Sequence, residues 1–220
     1  MFRVLTIGLL ASILSGLGPA LAAEKCDLPL VYEDDFESGA ANWEPTDASA
    51  WQLMEADGSK VFGIIKRQSN YKPPHRSPYN IALLKDIKVA DFVLELKIKS
   101  TLDTGNHRDA CLFFNYQDPA HFYYVHMGKR ADPHSCQIMI VNNAPRTMIT
   151  KKQTKGIPWD DRWHNVKIVR RTGDGTIEVY FDDMNTPVMT AVDKTFGDGR
   201  VGIGSFDDMD SFDDVKLYGK

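Results

Sequence analysis

The residues of this chain best suited to chemistry lie between Asn106 and Arg146. His107, Arg108 and Asp109 lead into an apolar run, Tyr116-Gln117-Asp118-Pro119-Ala120-His121 reads as a turn, and Tyr123, Tyr124 and His126 lie on the return. Asn142, Asn143 and Arg146 follow. Asp109 and His126 are the acid–base candidates, because a histidine titrates near neutral pH and an adjacent carboxylate orients it and raises its pKa. Arg76, His107, Arg108 and Arg146 carry groups that would hold a carboxylate or a polarised oxygen. Arg76 sits in the proline-stiffened run Lys72-Pro73-Pro74-His75-Arg76-Ser77-Pro78, suited to a groove rim. Tyr124 and Asn142 complete the substrate-binding set. Aromatic rings that stack on pyranose faces, mixed with fixed hydrogen-bonding groups, are what a saccharide groove requires. A Cys111–His126 nucleophile pair is the weaker alternative, since free cysteines are usually packed.

These side chains need strands to position them. Phe92 to Lys99 alternates, with Phe92, Leu94, Leu96 and Ile98 on one side and Val93, Glu95, Lys97 and Lys99 on the other, the period of a half-buried strand. Val166–Arg171 and Thr176–Phe181 flank Gly173-Asp174-Gly175, a hairpin turn. Further strands are expected at Val61–Ile65, Asn80–Leu84, Ala110–Tyr116, Phe122–Met127, Gln137–Val141, Val188–Val192, Arg200–Ser205 and Asp213–Leu217. In the candidate region Ala110, Leu112, Phe114, Tyr123, Val125, Met127, Ile138 and Ile140 form an apolar inner face. The opposite face then presents Asp109, Phe113, Asn115, Phe122, Tyr124 and His126, where an ordinary solvent face would carry Lys, Glu and Thr. Many short, evenly spaced strands without a helical period predict an all-β sandwich or jelly roll.

The bulk properties agree. Apolar residues make up 43% of the 220-residue chain and charged residues 25%, with a net charge of −4. Acidic and basic residues are interspersed, so the basic stripe of a nucleic-acid binder is missing. Arg3, the apolar run Val4–Leu17 and the small-x-small pattern Ala20-Leu21-Ala22 read as a signal peptide over 1–23, cut after Ala22 or Ala23. Its apolar run is shorter than the roughly 20 residues of a membrane span. Residues 24–220 are expected to be one exported domain, periplasmic or extracellular and monomeric. Of the three cysteines, Cys26, Cys111 and Cys136, the last two fall on alternate strands. Strands two apart lie about 9–10 Å from each other, so packed thiols are expected rather than a disulfide.

Three segments carry a family resemblance. Asp35-Phe36-Glu37-Ser38-Gly39 with Trp43 resembles the opening strand and turn of the concanavalin A-like superfamily. Trp163-His164-Asn165-Val166-Lys167-Ile168 leading to Ile177-Glu178-Val179-Tyr180-Phe181-Asp182 resembles its central hairpin, and Gly199–Phe206 followed by Phe212–Leu217 its closing strands. That superfamily includes laminin-G domains, laminarinase-like glucanases and 3-keto-disaccharide hydrolases. The resemblance implies a jelly-roll sandwich of two antiparallel sheets that binds a saccharide on its concave sheet. It leaves two alternatives: a hydrolase acting on a modified glycoside in the same groove, and a laminin-G-like protein-binding module. It also implies one structural calcium ion, held by Glu37 and Asp214 with Asp35 between the opening turn and the closing strand. The paired carboxylates of a retaining glucanase are absent from a central strand; Glu33, Asp35 and Glu37 share a face only at the periphery. Gly105-Asn106-His107-Arg108-Asp109 replaces the 3-keto-disaccharide hydrolase motif.

Overall fold

The computed structural model describes residues 27–220, so the expected leader and Cys26 lie outside the described residues. Sixteen strands follow in order: β1 (Leu30–Asp34), β2 (Trp43–Pro45), β3 (Trp51–Ala56), β4 (Ser59–Ile64), β5 (Asn80–Leu84), β6 (Phe92–Ser100), β7 (Asp109–Asp118), β8 (His121–Gly128), β9 (Gln137–Asn142), β10 (Thr147–Met148), β11 (Thr150–Lys152), β12 (His164–Arg171), β13 (Thr176–Phe181), β14 (Met189–Val192), β15 (Arg200–Ser205) and β16 (Asp210–Gly219). They form two antiparallel sheets. One runs β11-β14-β13-β12-β6-β16-β4-β3, with β1 also paired to β16; the other runs β10-β9-β8-β7-β15-β5-β2. This is the all-β jelly-roll sandwich that the alternation predicts. The strands at β1, β2, β3, β10 and β11 were not anticipated, being short or at sheet edges where the alternation is weak; residues 35–39, expected to hold the opening strand and turn, are the turn that follows β1.

The core fills the space between the sheets. Phe92, Leu94, Leu96 and Ile98 of β6 face Leu112 and Phe114 of β7 and Tyr123 and Val125 of β8 across it, all in one buried cluster. Ile177, Val179 and Phe181 of β13 join them, as their period predicts. Trp159 closes one end, its indole N–H donating to the Met127 carbonyl at 2.6 Å. At the other end Arg170 is fully buried. Its guanidinium donates to the carbonyls of Gly175, Asp193 and Phe196, each at 2.9 Å, and its Nε to Asn115 Oδ1 at 3.1 Å. A buried cation is tolerable only when its donors are satisfied in this way. In the β12–β13 hairpin Gly175 adopts φ +84, and a Cβ there would stand 2.9 Å from the Asp193 carbonyl oxygen. Cys111 and Cys136 are both buried free thiols.

Candidate functional site

The candidate residues converge on the outer face of the seven-stranded sheet, where strand register places them. Cys111 of β7 lies opposite His126 of β8, and Phe113 opposite Tyr124. His126 in turn faces Gln137 of β9, and Tyr124 faces Met139. This outer face differs from the open groove that the sequence suggested. Ile81, Leu83, Phe113, Phe122, Tyr124, Met139, Val141 and Phe206 form a second buried apolar cluster on it, with Tyr71 and Tyr79 packed alongside. The cover is the irregular segment 65–79 together with Phe206 from the β15–β16 turn. Tyr79 donates its N–H to the Phe206 carbonyl at 3.2 Å, and the Arg146 N–H donates to the Arg76 carbonyl at 3.2 Å. Tyr124 is therefore 0% exposed, not a solvent-facing stacking platform.

Asp109 and His126 do meet. His126 Nε2 lies 3.4 Å from Asp109 Oδ2, both side chains nearly buried. The other Asp109 oxygen accepts from Ser205 Oγ at 2.8 Å and from the Phe206 N–H at 3.0 Å. Burial alone would raise the Asp109 carboxyl; the facing His126 and these donors overcome it and hold the group below its ordinary value. Asp109 thus anchors the turn that carries Phe206 as well as facing His126. The His126 ring lies parallel to Phe206, 5.7 Å between centroids. The Arg146 guanidinium sits 4.2 Å from the centroid of that same ring, and the Arg76 guanidinium 5.7 Å from it.

Four buried polar atoms in this patch have no well-aligned hydrogen-bond partner among the described residues, Tyr124 Oη, His126 Nδ1, Gln137 Oε1 and Arg146 Nη1, although the Tyr124 hydroxyl and the Arg146 guanidinium lie beside each other. Burial raises the Tyr124 hydroxyl far above its ordinary value, so it is a neutral donor. Gln137 and Phe206 were missed by sequence reasoning. Gln137 becomes visible only through its pairing with His126, and Phe206 only through the path of its turn.

The other candidates do not join the patch. Arg108 is buried and turned toward the opposite sheet, donating to Ser100 Oγ at 3.0 Å and the Ser100 carbonyl at 3.2 Å and pairing with Asp161 at 2.5 Å. It is a structural tie between β6 and β7, not a binding group. His107 is exposed on a single 3-10 turn, Gly105–His107. Asn142 is exposed at the far end of β9, opposite His121. It stands five residues from Gln137, roughly 17 Å at about 3.4 Å per residue.

Cys111 lies beside His126 within the second buried cluster, on the outer face of the sheet. Burial, then the charges of Asp109 and Asp210, push its thiol well above its ordinary value. A protonated thiol is a poor nucleophile, which removes the Cys111–His126 alternative. Asp109, Cys111 and His126 nevertheless place one ligand atom each within 4.8 Å of one another.

The carboxylates expected to share a calcium ion have other partners. Glu37 Oε1 accepts from the Lys60 N–H at 2.7 Å and from Ser59 Oγ at 3.0 Å, while Lys60 Nζ donates to the Glu37 carbonyl at 2.9 Å. Asp214 pairs with Lys97 at 2.6 Å. Two ammonium groups thus supply the positive charge at the opening turn and closing strand. The pair as arranged does not fit a shared divalent ion, which takes six to eight oxygens at 2.3–2.6 Å. A cleft of about 450 Å³ beside them, lined by Glu33, Asp34, Asp35, Ser38, Asn42 and Asp214, belongs to the other sheet and is distant from the patch.

Comparison by sequence alone finds no matching family model and no matching curated protein. Comparison by structure finds close likenesses of fold. A carbohydrate-binding module, CBM66 from Bacillus subtilis, superposes with a TM-score of 0.56 at 18% identity, over 81% of this chain and 96% of that one. The cellulose-induced protein Cip1 gives 0.58 at 14% identity, over 86% and 97%. Domain 4 of an extracellular GH43 arabinanase from Geobacillus stearothermophilus, solved in complex with arabinotriose, gives 0.56 at 12%, over 87% and 93%. With the two antiparallel sheets described above, these likenesses establish that the chain has the concanavalin A-like jelly-roll fold.

Proposed function

We propose that the protein binds a saccharide on the outer face of its seven-stranded sheet, in the patch formed by Tyr124, His126, Gln137 and Arg146. The observation that carries this reading is the convergence of their four polar atoms without a well-aligned partner. Each buried polar group left unsatisfied costs about 1–3 kcal/mol, and native structures retain few of them without a reason. Donors and acceptors fixed beside Phe206 are suited to sugar hydroxyls and a ring face. The fold supports the same class, since a carbohydrate-binding module and an arabinotriose-bound domain share it. Segment 65–79 packs along the patch and brings Arg76 to the edge of the Phe206 ring. Its bonds include Arg146 N–H to the Arg76 carbonyl, Tyr79 N–H to the Phe206 carbonyl, His75 Nε2 with Asn143 Oδ1 at 3.3 Å, Arg67 Nε to the Asp207 carbonyl at 2.8 Å and Asn70 N–H to Asp47 Oδ2 at 2.7 Å.

The Asp109–His126 contact favours a second reading, acid–base hydrolysis of a glycoside in the same place. Binding takes precedence because Asp109 already holds the Phe206 turn through its other oxygen.

Tyr124→Phe tests the binding reading. It keeps the buried ring and removes one hydroxyl without a well-aligned partner, so the melting temperature should hold or rise. Affinity for a saccharide found on a glycan array should fall by the worth of one hydrogen bond, about 0.5–1.5 kcal/mol, which is up to roughly tenfold. Unchanged affinity by calorimetry would overturn the site. Product release from an array glycoside, lost in His126→Ala, would establish hydrolysis instead.

A further inference from the structure

Resting on the saccharide reading, we infer that the ligand is acidic: a sugar whose ring carries a carboxylate, bound by Arg76 and Arg146. The two guanidinium groups converge on one aromatic ring, at 4.2 Å and 5.7 Å from the Phe206 centroid. A guanidinium over an aromatic ring keeps its planar N–H donors, a fork that matches a carboxylate bidentately. Two cations drawn to the same ring repel each other unless an anion lies between them.

Neither arginine has an ion-pair partner among the described residues. The four arginines that do are Arg108, Arg162, Arg171 and Arg200. Arg146 Nη1 is also buried without a well-aligned acceptor, the Tyr124 hydroxyl being the side-chain group beside this guanidinium. Hydrogen bonds to a charged acceptor are stronger than those to a neutral one, so a carboxylate would complete the bonding of this donor. Asp109 does not neutralise the pair. It is committed to His126, Ser205 and the Phe206 N–H.

The two loops that carry the arginines are tied together, since the Arg146 N–H donates to the Arg76 carbonyl at 3.2 Å. The fork is therefore built as one unit. Gln137 and Tyr124, on the strands beneath, present an acceptor and a donor to the hydroxyls of the same sugar.

The test uses calorimetry on the full folded protein with three probes of equal length: an oligogalacturonate, its methyl ester, and a neutral galacto-oligosaccharide. A glycan array holding acidic, sulfated and neutral sugars runs beside it. The acid form should bind at least tenfold more tightly than its ester, and its affinity should fall as salt is raised. Arg76→Gln removes an exposed side chain and leaves folding intact, and it should erase most of that difference; Arg146→Lys, which keeps the charge but loses the planar fork, should weaken the acid form alone. Array binders that are all neutral, or an ester that binds as well as the acid, would overturn the inference while leaving the saccharide reading in place. Preference for sulfated over carboxylated sugars would likewise overturn the carboxylate. Binding of no sugar of any kind would overturn the saccharide reading itself.

Discussion

Asp210 is the residue whose burial is hardest to reconcile with its chemistry. It is 0% exposed and neither carboxyl oxygen has a hydrogen-bond partner. Burial, then the like charges of Asp109 and Asp208, raise it well above its ordinary value of 3.8. A raised acid binds its proton more tightly in the folded state, so its contribution is fully present below the unfolded value. It is lost as pH climbs toward the folded value. Asp210→Asn mimics the protonated form at every pH. The variant should be more stable than the parent at neutral pH, by about 1–3 kcal/mol for one unsatisfied buried group, and the gain should shrink as pH falls toward 3.8. Urea unfolding at pH 7 and pH 4 checks this, and equal stability at pH 7 would show that an unseen partner satisfies the carboxylate. Asp109 has the opposite sign: its lowered value contributes stability above the usual carboxylate range, which is lost under strong acid.

Among the elements, β15 shows how a sheet is prepared to carry a covered face. Gly202 and Gly204 point to the same side as the patch, and a Cβ on Gly204 would stand 2.0 Å from the Asn80 carbonyl oxygen. On Gly202 it would stand 2.8 Å from Leu83 Cδ2. The bare strand lets Leu83 and Phe113 close over it from either side. Gly204→Ala should therefore force β5 away from β15 and destabilise the protein by about 1–3 kcal/mol, the range for overpacking, read from the denaturant midpoint. Alternation made β6, β7, β8, β12 and β13 legible in the sequence, because each presents one face to the space between the sheets. It did not reveal β3, an edge strand whose Met54 and Glu55 interrupt the pattern. Nor did it reveal the cover over β7–β9, which depends on where 65–79 and Phe206 travel. A local sign was present: Phe113, Phe122, Met139 and Val141 are apolar on the side assigned to solvent, as in strands buried on both faces. The Asp109–His126 pair was legible because register follows from adjacent hairpin strands, whereas Arg108 was misplaced because its direction is decided by Ser100 and Asp161 on distant elements.

At the scale of the whole molecule, lysine contacts stand where a bound cation was expected to join the chain's opening turn to its closing strand. Lys60 and Lys97 make those contacts, so a chelator should leave the melting temperature unchanged. A drop that disappears in Asp214→Ala would restore calcium to that position. Export is tested separately: N-terminal sequencing of the protein recovered from the periplasm or medium should begin at Ala23 or Glu24, and a retained Met1 would overturn it. The placement of β16 has a further consequence. The last strand lies inside the larger sheet, between β6 and β4, and also pairs with β1. Strands formed early in synthesis therefore have no neighbour to complete their hydrogen-bond ladders until Asp210–Gly219 has left the ribosome. Until then the nascent chain exposes unpaired edges, which calls for a holding chaperone and invites aggregation. A chain truncated after Ser205 should be insoluble, and one supplied with the missing strand as a separate peptide should recover by strand addition.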